Sequence, residues 1–114
     1  MKLEEIIEKL NLNVKAGQEG LDTEVTGGYV SDLLSDVIAN SRRGDLWITL
    51  QIHQNIVAVA TLKELAGIIL INRKEPADET VKKAEGEGVP VLTSPLTAYE
   101  IVCKLYELGI SGVR

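Results

Sequence analysis

Apolar and polar positions follow two patterns along this chain. One is the helical period, and the other is the continuous apolar run that is typical of buried strands. Near the start, apolar residues recur at helical spacing with charged residues opposite, which predicts a helix over residues 3–10. Residues 46–50 are predicted to form a strand, and strands are also predicted at 67–71 and 89–92. The run at 67–71 is continuously apolar, which is typical of a strand buried on both faces.

Helical patterns fill the intervals between these strands. Residues 54–65 are apolar around much of the helix circumference, and residues 76–87 form a predicted helix with Asp78 as its N-cap. A last helix is predicted from Pro95 to Leu108, because the hydroxyl residues Thr93 and Ser94 followed by a proline are typical of a helix start. Strands that alternate with helices predict parallel pairing with right-handed crossovers. We therefore expect an α/β fold, a three-layer-like unit with a mostly parallel sheet.

The first third of the chain is less regular. Residues 13–16 form a short predicted strand and residues 17–20 a turn. Residues 31–40 are predicted to form a short helix, with Ser31 or Ser35 as its cap. No repeat, linker or low-complexity segment divides the sequence, so we expect one domain over residues 1–114.

A glycine pair interrupts the extended segment between residues 24 and 30. Gly27 and Gly28 allow a positive φ at either position, or a close approach of another group, and the hydroxyl of Thr26 precedes them. Two interpretations stay open here. The pair forms either a turn that cradles a phosphate or a turn with a structural role only.

Charge and composition exclude several function classes. The formal net charge of −5 argues against nucleic-acid binding, because phosphate neutralisation needs clustered Lys and Arg. No apolar stretch reaches the about 18 residues of a membrane span, and no signal peptide is visible, so we expect a cytoplasmic protein without a membrane partner. Cys103 is the only cysteine and lies in an apolar run, which predicts a buried thiol.

Polar side chains follow each of the three predicted parallel strands. Ligands of open parallel sheets bind beyond the carboxyl ends of the strands, and helix N-termini there offer donors to an anion or a phosphorylated molecule. Together with the glycine pair, these side chains make up the candidate ligand-binding site: Thr26, Gly27, Gly28, Gln51, His53, Asn72, Arg73, Thr93 and Ser94. Ordinary caps and turns explain the same residues, and this alternative stays open.

Catalytic motifs are mostly absent from the sequence. There is no P-loop pattern and no nucleophile elbow. His53 is the only histidine, with no cysteine near it, so we predict no metal site, no cofactor and no catalytic residues.

Three motifs occur in order along the chain: Glu24-Val25-Thr26-Gly27-Gly28, Gly44-Asp45-Leu46-Trp47-Ile48-Thr49, and the segment from Gly88-Val89-Pro90-Val91-Leu92 to Tyr99-Glu100. Together they resemble the DRTGG domain family, over roughly residues 4–108. The family's Asp-Arg pair is Glu24-Val25 in this chain, so its arginine is missing. The resemblance implies a fold like the N-terminal domain of HPr kinase/phosphorylase. It also implies an accessory, regulatory module that helps its protein to dimerise.

We therefore expect a regulatory, ligand-sensing domain that forms a homodimer and binds a small anionic or nucleotide ligand. The homodimer is motivated by the last predicted helix, which carries apolar residues on most of one side. The alternative is that the N-terminal helix covers this side within one monomer. A second hypothesis is an interaction module that docks a partner enzyme, and a third is a small enzyme that uses His53 as general acid or base.

Overall fold

A computed structural model describes residues 1–112 of the chain. Within this part the strands are β1 (Asn13–Ala16), β2 (Gly27–Val30), β3 (Asp45–Thr49), β4 (Gly67–Leu70) and β5 (Val91–Thr93). The helices are α1 (Leu3–Leu10), α2 (Leu34–Asn40), α3 (Asn55–Lys63), α4 (Asp78–Glu87) and α5 (Ala98–Glu107). A short 3₁₀ turn at Gln18–Gly20 follows β1.

The strands form one sheet in the order β1-β5-β4-β3-β2. Strands β2 to β5 are parallel to one another, which confirms the predicted α/β fold with a mostly parallel sheet. Strand β1 joins β5 in antiparallel direction, with Asn13 opposite Thr93. The sheet therefore has two edge strands, β1 on one side and β2 on the other.

Apolar side chains cover both faces of the sheet, which explains the continuous apolar run at 67–71. Leu46, Ile48 and Ile69 pack with α1 and α5 on one face. Trp47 and Ile68 pack with α3 on the other face, where α2 and α4 also lie. Alternate residues of one strand thus belong to different cores, since successive side chains point to opposite faces.

Several predicted element ends are wrong by a few residues. The last helix begins at Ala98, because Thr97 and Glu100 form a capping box, and the hydroxyls at 93–94 lie before it. Neither predicted serine caps α2, which begins after Leu33; Ser31 Oγ instead accepts a hydrogen bond from the Leu33 N–H at 3.1 Å. Local hydrogen bonds at these ends, and not the apolar period, decide where each helix starts.

The predicted turn at the glycine pair is also wrong. Gly27 and Gly28 lie inside β2 and pair with Asp45 and Leu46 of β3. Neither is among the glycines with positive φ. The extended segment is therefore not interrupted, and β2 begins at the pair.

Gly17 has a conformation that other residues adopt only with strain. Its φ is +73°, and a Cβ atom built there would lie 2.1 Å from the Val89 carbonyl oxygen. Gly17 N–H also donates to Glu85 Oε1 at 3.2 Å. This residue lets the segment after β1 approach the loop between α4 and β5.

We predict that Gly17→Ala lowers the free energy of unfolding by at least about 2 kcal/mol, because it adds left-handed strain and a main-chain clash. Urea unfolding measures the change. The matched control is Gly86→Ala in α4, where no atom lies within 4 Å of the new Cβ. A helical alanine there should raise stability by about 0.5–1 kcal/mol. Equal effects of the two substitutions would contradict this account.

Candidate functional site

Parallel pairing places the carboxyl ends of β2 to β5 at one edge of the sheet, which we call the carboxyl edge (the loops at 31–33, 50–54, 71–77 and 94–97). Six of the nine predicted site residues lie at or beside these strand ends: Gln51, His53, Asn72, Arg73, Thr93 and Ser94. The other three, Thr26, Gly27 and Gly28, lie at the start of β2, at the opposite edge. The structure therefore does not bring the glycine pair and the polar loops together.

Thr26 forms hydrogen bonds that join the start of β2 to the turn before β3. Its N–H donates to the Gly44 carbonyl at 3.0 Å, and its hydroxyl donates to the Arg43 carbonyl at 3.3 Å. Gly44 has φ +86°, and a Cβ there would lie 2.3 Å from the Thr26 hydroxyl oxygen. Two of the DRTGG-like motifs thus pack against each other. Val25, at the position of the family's arginine, is buried in the core.

The loop after β4 is held in an unusual conformation by the loop after β5. Asn72 and Arg73 have φ values of 54° and 62°, which are uncommon for residues other than glycine. The Asn72 N–H donates to the Leu96 carbonyl at 2.9 Å, and the Arg73 N–H donates to the Ser94 carbonyl at 3.1 Å. These two main-chain N–H groups are therefore engaged within the protein, and only the side chains of Asn72 and Arg73 can donate hydrogen bonds to a ligand.

A cleft of about 200 Å³ opens beside this pair of loops, and we call it the Arg73 cleft. Its lining residues are Asn13, Arg73, Glu75, Thr93, Ser94 and Pro95. Thr93 and Ser94 are buried, whereas Arg73 is exposed. The cleft unites three of the predicted site residues with Asn13 and Glu75, which the sequence did not single out.

Asp32 joins the loop after β2 to the end of β3 and the loop that follows it, in the part of the carboxyl edge away from the Arg73 cleft. Its carboxylate accepts hydrogen bonds from the Thr49 hydroxyl and the Leu50 N–H, each at 2.8 Å. The Gln51 side-chain amide donates to the Asp32 carbonyl at 2.8 Å. Gln51 thus joins the ends of β2 and β3, and its amide N–H is engaged within the protein.

His53 lies in the exposed loop that leads into α3. Its carbonyl accepts from the Ile56 N–H at 3.2 Å, but its imidazole makes no hydrogen bond or ion pair within residues 1–112. The N-terminus of α3 has no side-chain cap and no acidic residue in its first turn. By contrast, Glu100 closes the N-terminus of α5, and α4 begins with Asp78 and Glu79.

Hydrogen bonds to the Asp36 carboxylate join α2 to the edge strand β2. The Tyr29 hydroxyl donates to both Asp36 oxygens at 2.9 Å, and the Asn40 amide donates to Oδ1 at 2.8 Å. Hydrogen bonding from Ser31, Asn40 and Tyr29 lowers the pKa of the Asp36 carboxyl below its usual value. The group is therefore a charged acceptor at neutral pH.

Helix α5 carries a row of exposed apolar side chains. Tyr99, Val102 and Tyr106 are 81%, 42% and 70% exposed, and their spacing puts them on one side of the helix. Cys103 lies in the same row and is exposed, so the predicted buried thiol is wrong. Its neighbours Ile101 and Leu105 face the core instead.

An apolar groove of about 130 Å³ runs between α5 and β2. Gly28, Val30 and Ile48 lie on the strand side, and Val102, Leu105, Tyr106, Ile110 and Gly112 complete the lining. The predicted site residue Gly28 therefore borders an apolar surface and not the polar loops.

No group of three or more His, Cys, Asp or Glu side chains within residues 1–112 is arranged to hold a metal ion. None of the helices described has the length and apolar character needed to cross a membrane.

The fold is similar to that of a regulatory region of known structure. The search of solved structures found the CBS and DRTGG domains of the regulatory region of Clostridium perfringens pyrophosphatase, complexed with the activator diadenosine tetraphosphate. The likeness has a TM-score of 0.69 at 16% sequence identity and covers 88% of this chain. It covers 44% of the other chain, so this chain matches less than half of that protein's length. No family model and no curated protein matches the sequence.

We predict that Asp32→Ala lowers the free energy of unfolding by about 1–3 kcal/mol, because the buried Thr49 hydroxyl and the Leu50 N–H lose their acceptor. Chemical denaturation measures the loss. Asp22→Ala is the matched control, since the Asp22 carboxylate has no partner within residues 1–112, and it should change stability by less than about 0.5 kcal/mol. Equal losses of stability in the two variants would mean that the hydrogen bonds to the Asp32 carboxylate do not stabilise the fold.

Proposed function

We propose that this chain is a ligand-sensing regulatory domain that self-associates and binds a small phosphorylated or nucleotide ligand at the carboxyl edge. The observation that carries the proposal is the likeness in fold to a regulatory region that was crystallised with a nucleotide activator. In that role the domain would change the activity of a partner enzyme, or of another domain, when its ligand binds. The ligand must then bind two states of the assembly with different affinity.

The charges at the carboxyl edge support an anionic ligand. Arg73 is exposed in the loop after β4, and its side chain forms no ion pair within residues 1–112. The start of α3, which has no acidic residue in its first turn, adds the positive end of a helix dipole. Arg73 and Lys74 balance the carboxylates of Asp32 and Glu75 in these loops, so the edge is neutral in an otherwise acidic protein, and the unpaired Arg73 guanidinium can bind an anion there.

Binding should appear as thermal stabilisation by phosphorylated compounds. In a panel of nucleotides and phosphorylated metabolites at millimolar concentration, we expect at least one to raise the Tm. A ligand at 100 times its Kd adds about 2.7 kcal/mol, which corresponds to roughly 10 °C for a domain of this size. Adenosine and other unphosphorylated parent compounds are the controls. If no phosphorylated compound raises the Tm, the ligand-sensing role is rejected.

The exposed row on α5 supports self-association through a second copy of this chain. Fully burying two tyrosines removes about 300–500 Å² from solvent, against about 800 Å² per partner in a standard interface. Val102 and the edge-strand residue Val30, at 42% and 48% exposure, extend the same surface. Helix α1 packs on α5 but leaves Tyr99 and Tyr106 exposed. The N-terminal helix therefore covers the apolar side of α5 only in part.

We predict that the protein sediments as a dimer at micromolar concentration and that Tyr106→Glu shifts it to monomer, because a charge would be buried in the contact. The matched control is Leu62→Glu on α3, where the wild-type side chain is 66% exposed, close to the 70% of Tyr106. This control should remain dimeric. A monomeric wild-type protein rejects self-association, and a dimer that tolerates Tyr106→Glu rejects this surface.

The same surface also favours a second candidate function, an interaction module that docks a partner enzyme and binds nothing small. The two functions differ in their response to the ligand panel and to sedimentation. A protein that is monomeric, is stabilised by no phosphorylated compound and binds a partner enzyme through α5 would be such a module. Loss of that binding in Tyr106→Glu, with binding kept in Leu62→Glu, would place the docking surface on α5.

A further inference from the structure

Thr93 is distinguished from the other buried hydroxyl residues by having no partner. Ser41, Thr49 and Thr80 donate hydrogen bonds to protein acceptors, and Ser94 Oγ accepts one from the Leu96 N–H. Thr93 is only 3% exposed, yet its hydroxyl makes no hydrogen bond within residues 1–112. Most hydroxyl groups of buried residues are paired within the protein or with ordered water.

The Thr93 hydroxyl opens into the Arg73 cleft. Thr93 lines this cleft, and no side-chain oxygen or nitrogen that is fully shut off from solvent lacks a partner among the described residues. Its oxygen is therefore not fully shut off from solvent, and the cleft that Thr93 lines offers a ligand atom a place to bind it. Thr93 thus contributes a hydroxyl without a protein partner to the lining of a concave site.

Arg73 supplies an unpaired positive charge at the same cleft. Its guanidinium forms no ion pair within residues 1–112, whereas Arg43 pairs with Glu64 at 3.1 Å. The main chain of Arg73 is fixed by the hydrogen bond to the Ser94 carbonyl, so the side chain starts from a defined position beside Thr93. Five N–H donors in a rigid fork suit the guanidinium to phosphate oxygens.

One carboxylate also borders the cleft, but a cation neutralises it. Glu75 forms an ion pair with Lys15 of β1 at 3.1 Å. With Glu75 paired to Lys15, the positive charge of Arg73 is not compensated by the other residues that line the cleft. Asn13 lies opposite Thr93 in the antiparallel β1–β5 pair, and its amide adds two further donors.

We propose that the Arg73 cleft is a phosphate-binding subsite, in which the Arg73 guanidinium and the Thr93 hydroxyl bind the oxygens of a phosphate group. The inference rests on the proposed ligand-sensing function and identifies which part of the ligand binds where. The volume of about 200 Å³ is below the about 300–1,000 Å³ of sites for drug-sized ligands. The cleft therefore accommodates a phosphate group, and the remainder of a nucleotide lies outside it.

The test is a titration of the ¹⁵N-labelled protein with inorganic phosphate, followed by amide chemical shifts, with sodium chloride of equal ionic strength as the blank. We expect shifts at residues 13, 73, 93 and 94. Arg73→Ala should weaken the phosphate Kd about tenfold or more, which corresponds to about 1.4 kcal/mol. Thr93→Val should weaken it about threefold while keeping the Tm, because this hydroxyl has no hydrogen bond in the protein to lose.

Lys74→Ala is the matched control, since it removes one exposed positive charge from the same loop but does not line the cleft. Its Kd should stay within about twofold of the wild-type value. Equal weakening by Arg73→Ala and Lys74→Ala would overturn the proposal, because it would mean general attraction to the loop. Shifts confined to other residues, or none at all, would overturn it as well.

The compound panel separates failure of this subsite from failure of the proposed function. If a phosphorylated compound raises the Tm of the wild-type protein and of Arg73→Ala equally, the domain senses a ligand but binds its phosphate elsewhere. If no phosphorylated compound stabilises the wild-type protein and phosphate causes no shifts, both the function and the subsite are rejected.

Discussion

Parallel strands need a crossover connection, and the four parallel strands of this sheet are joined by three such crossovers, through α2, α3 and α4. Right-handed crossovers between neighbouring strands place all three helices on one face of the sheet, where Trp47 and Ile68 are buried. Only α1 and α5 remain to cover the opposite face. Two helices leave the β2 side of that face open, and the apolar groove beside α5 lies there.

The same pairing separates two chemically different ends of the sheet. At the carboxyl edge the loops carry polar side chains, and the hydrogen bonds from Asn72 and Arg73 to the loop after β5 give them one arrangement. At the opposite edge, Thr26 and Gly44 pack so closely that no ligand fits between them. The DRTGG-like glycine pair in this chain thus begins a strand, while the open polar site lies at the far end of the parallel strands.

Ligand binding and self-association would use different surfaces of this domain. The Arg73 cleft lies at the ends of β1 and β5, on one side of the sheet, whereas the groove and the exposed α5 row lie next to β2, on the other side. Helix α5 directly follows the loop after β5, whose carbonyl groups accept hydrogen bonds from the Asn72 and Arg73 N–H groups. A shift of that loop on ligand binding would therefore act on the start of α5, which gives a physical route from ligand to assembly.

The sequence by itself determined the order of helices and strands and, from residue 46 onward, the parallel pairing of three strands, because the apolar pattern and the chain order are local properties. It also placed six site residues at the carboxyl edge, since strand ends follow from that order. Only the tertiary structure decided the antiparallel direction of β1, which brings Asn13 to Thr93. It also decided the exposure of Cys103 and the separation of the glycine pair from the polar loops. These features depend on long-range pairing and on which helix faces are covered, and no local pattern encodes either.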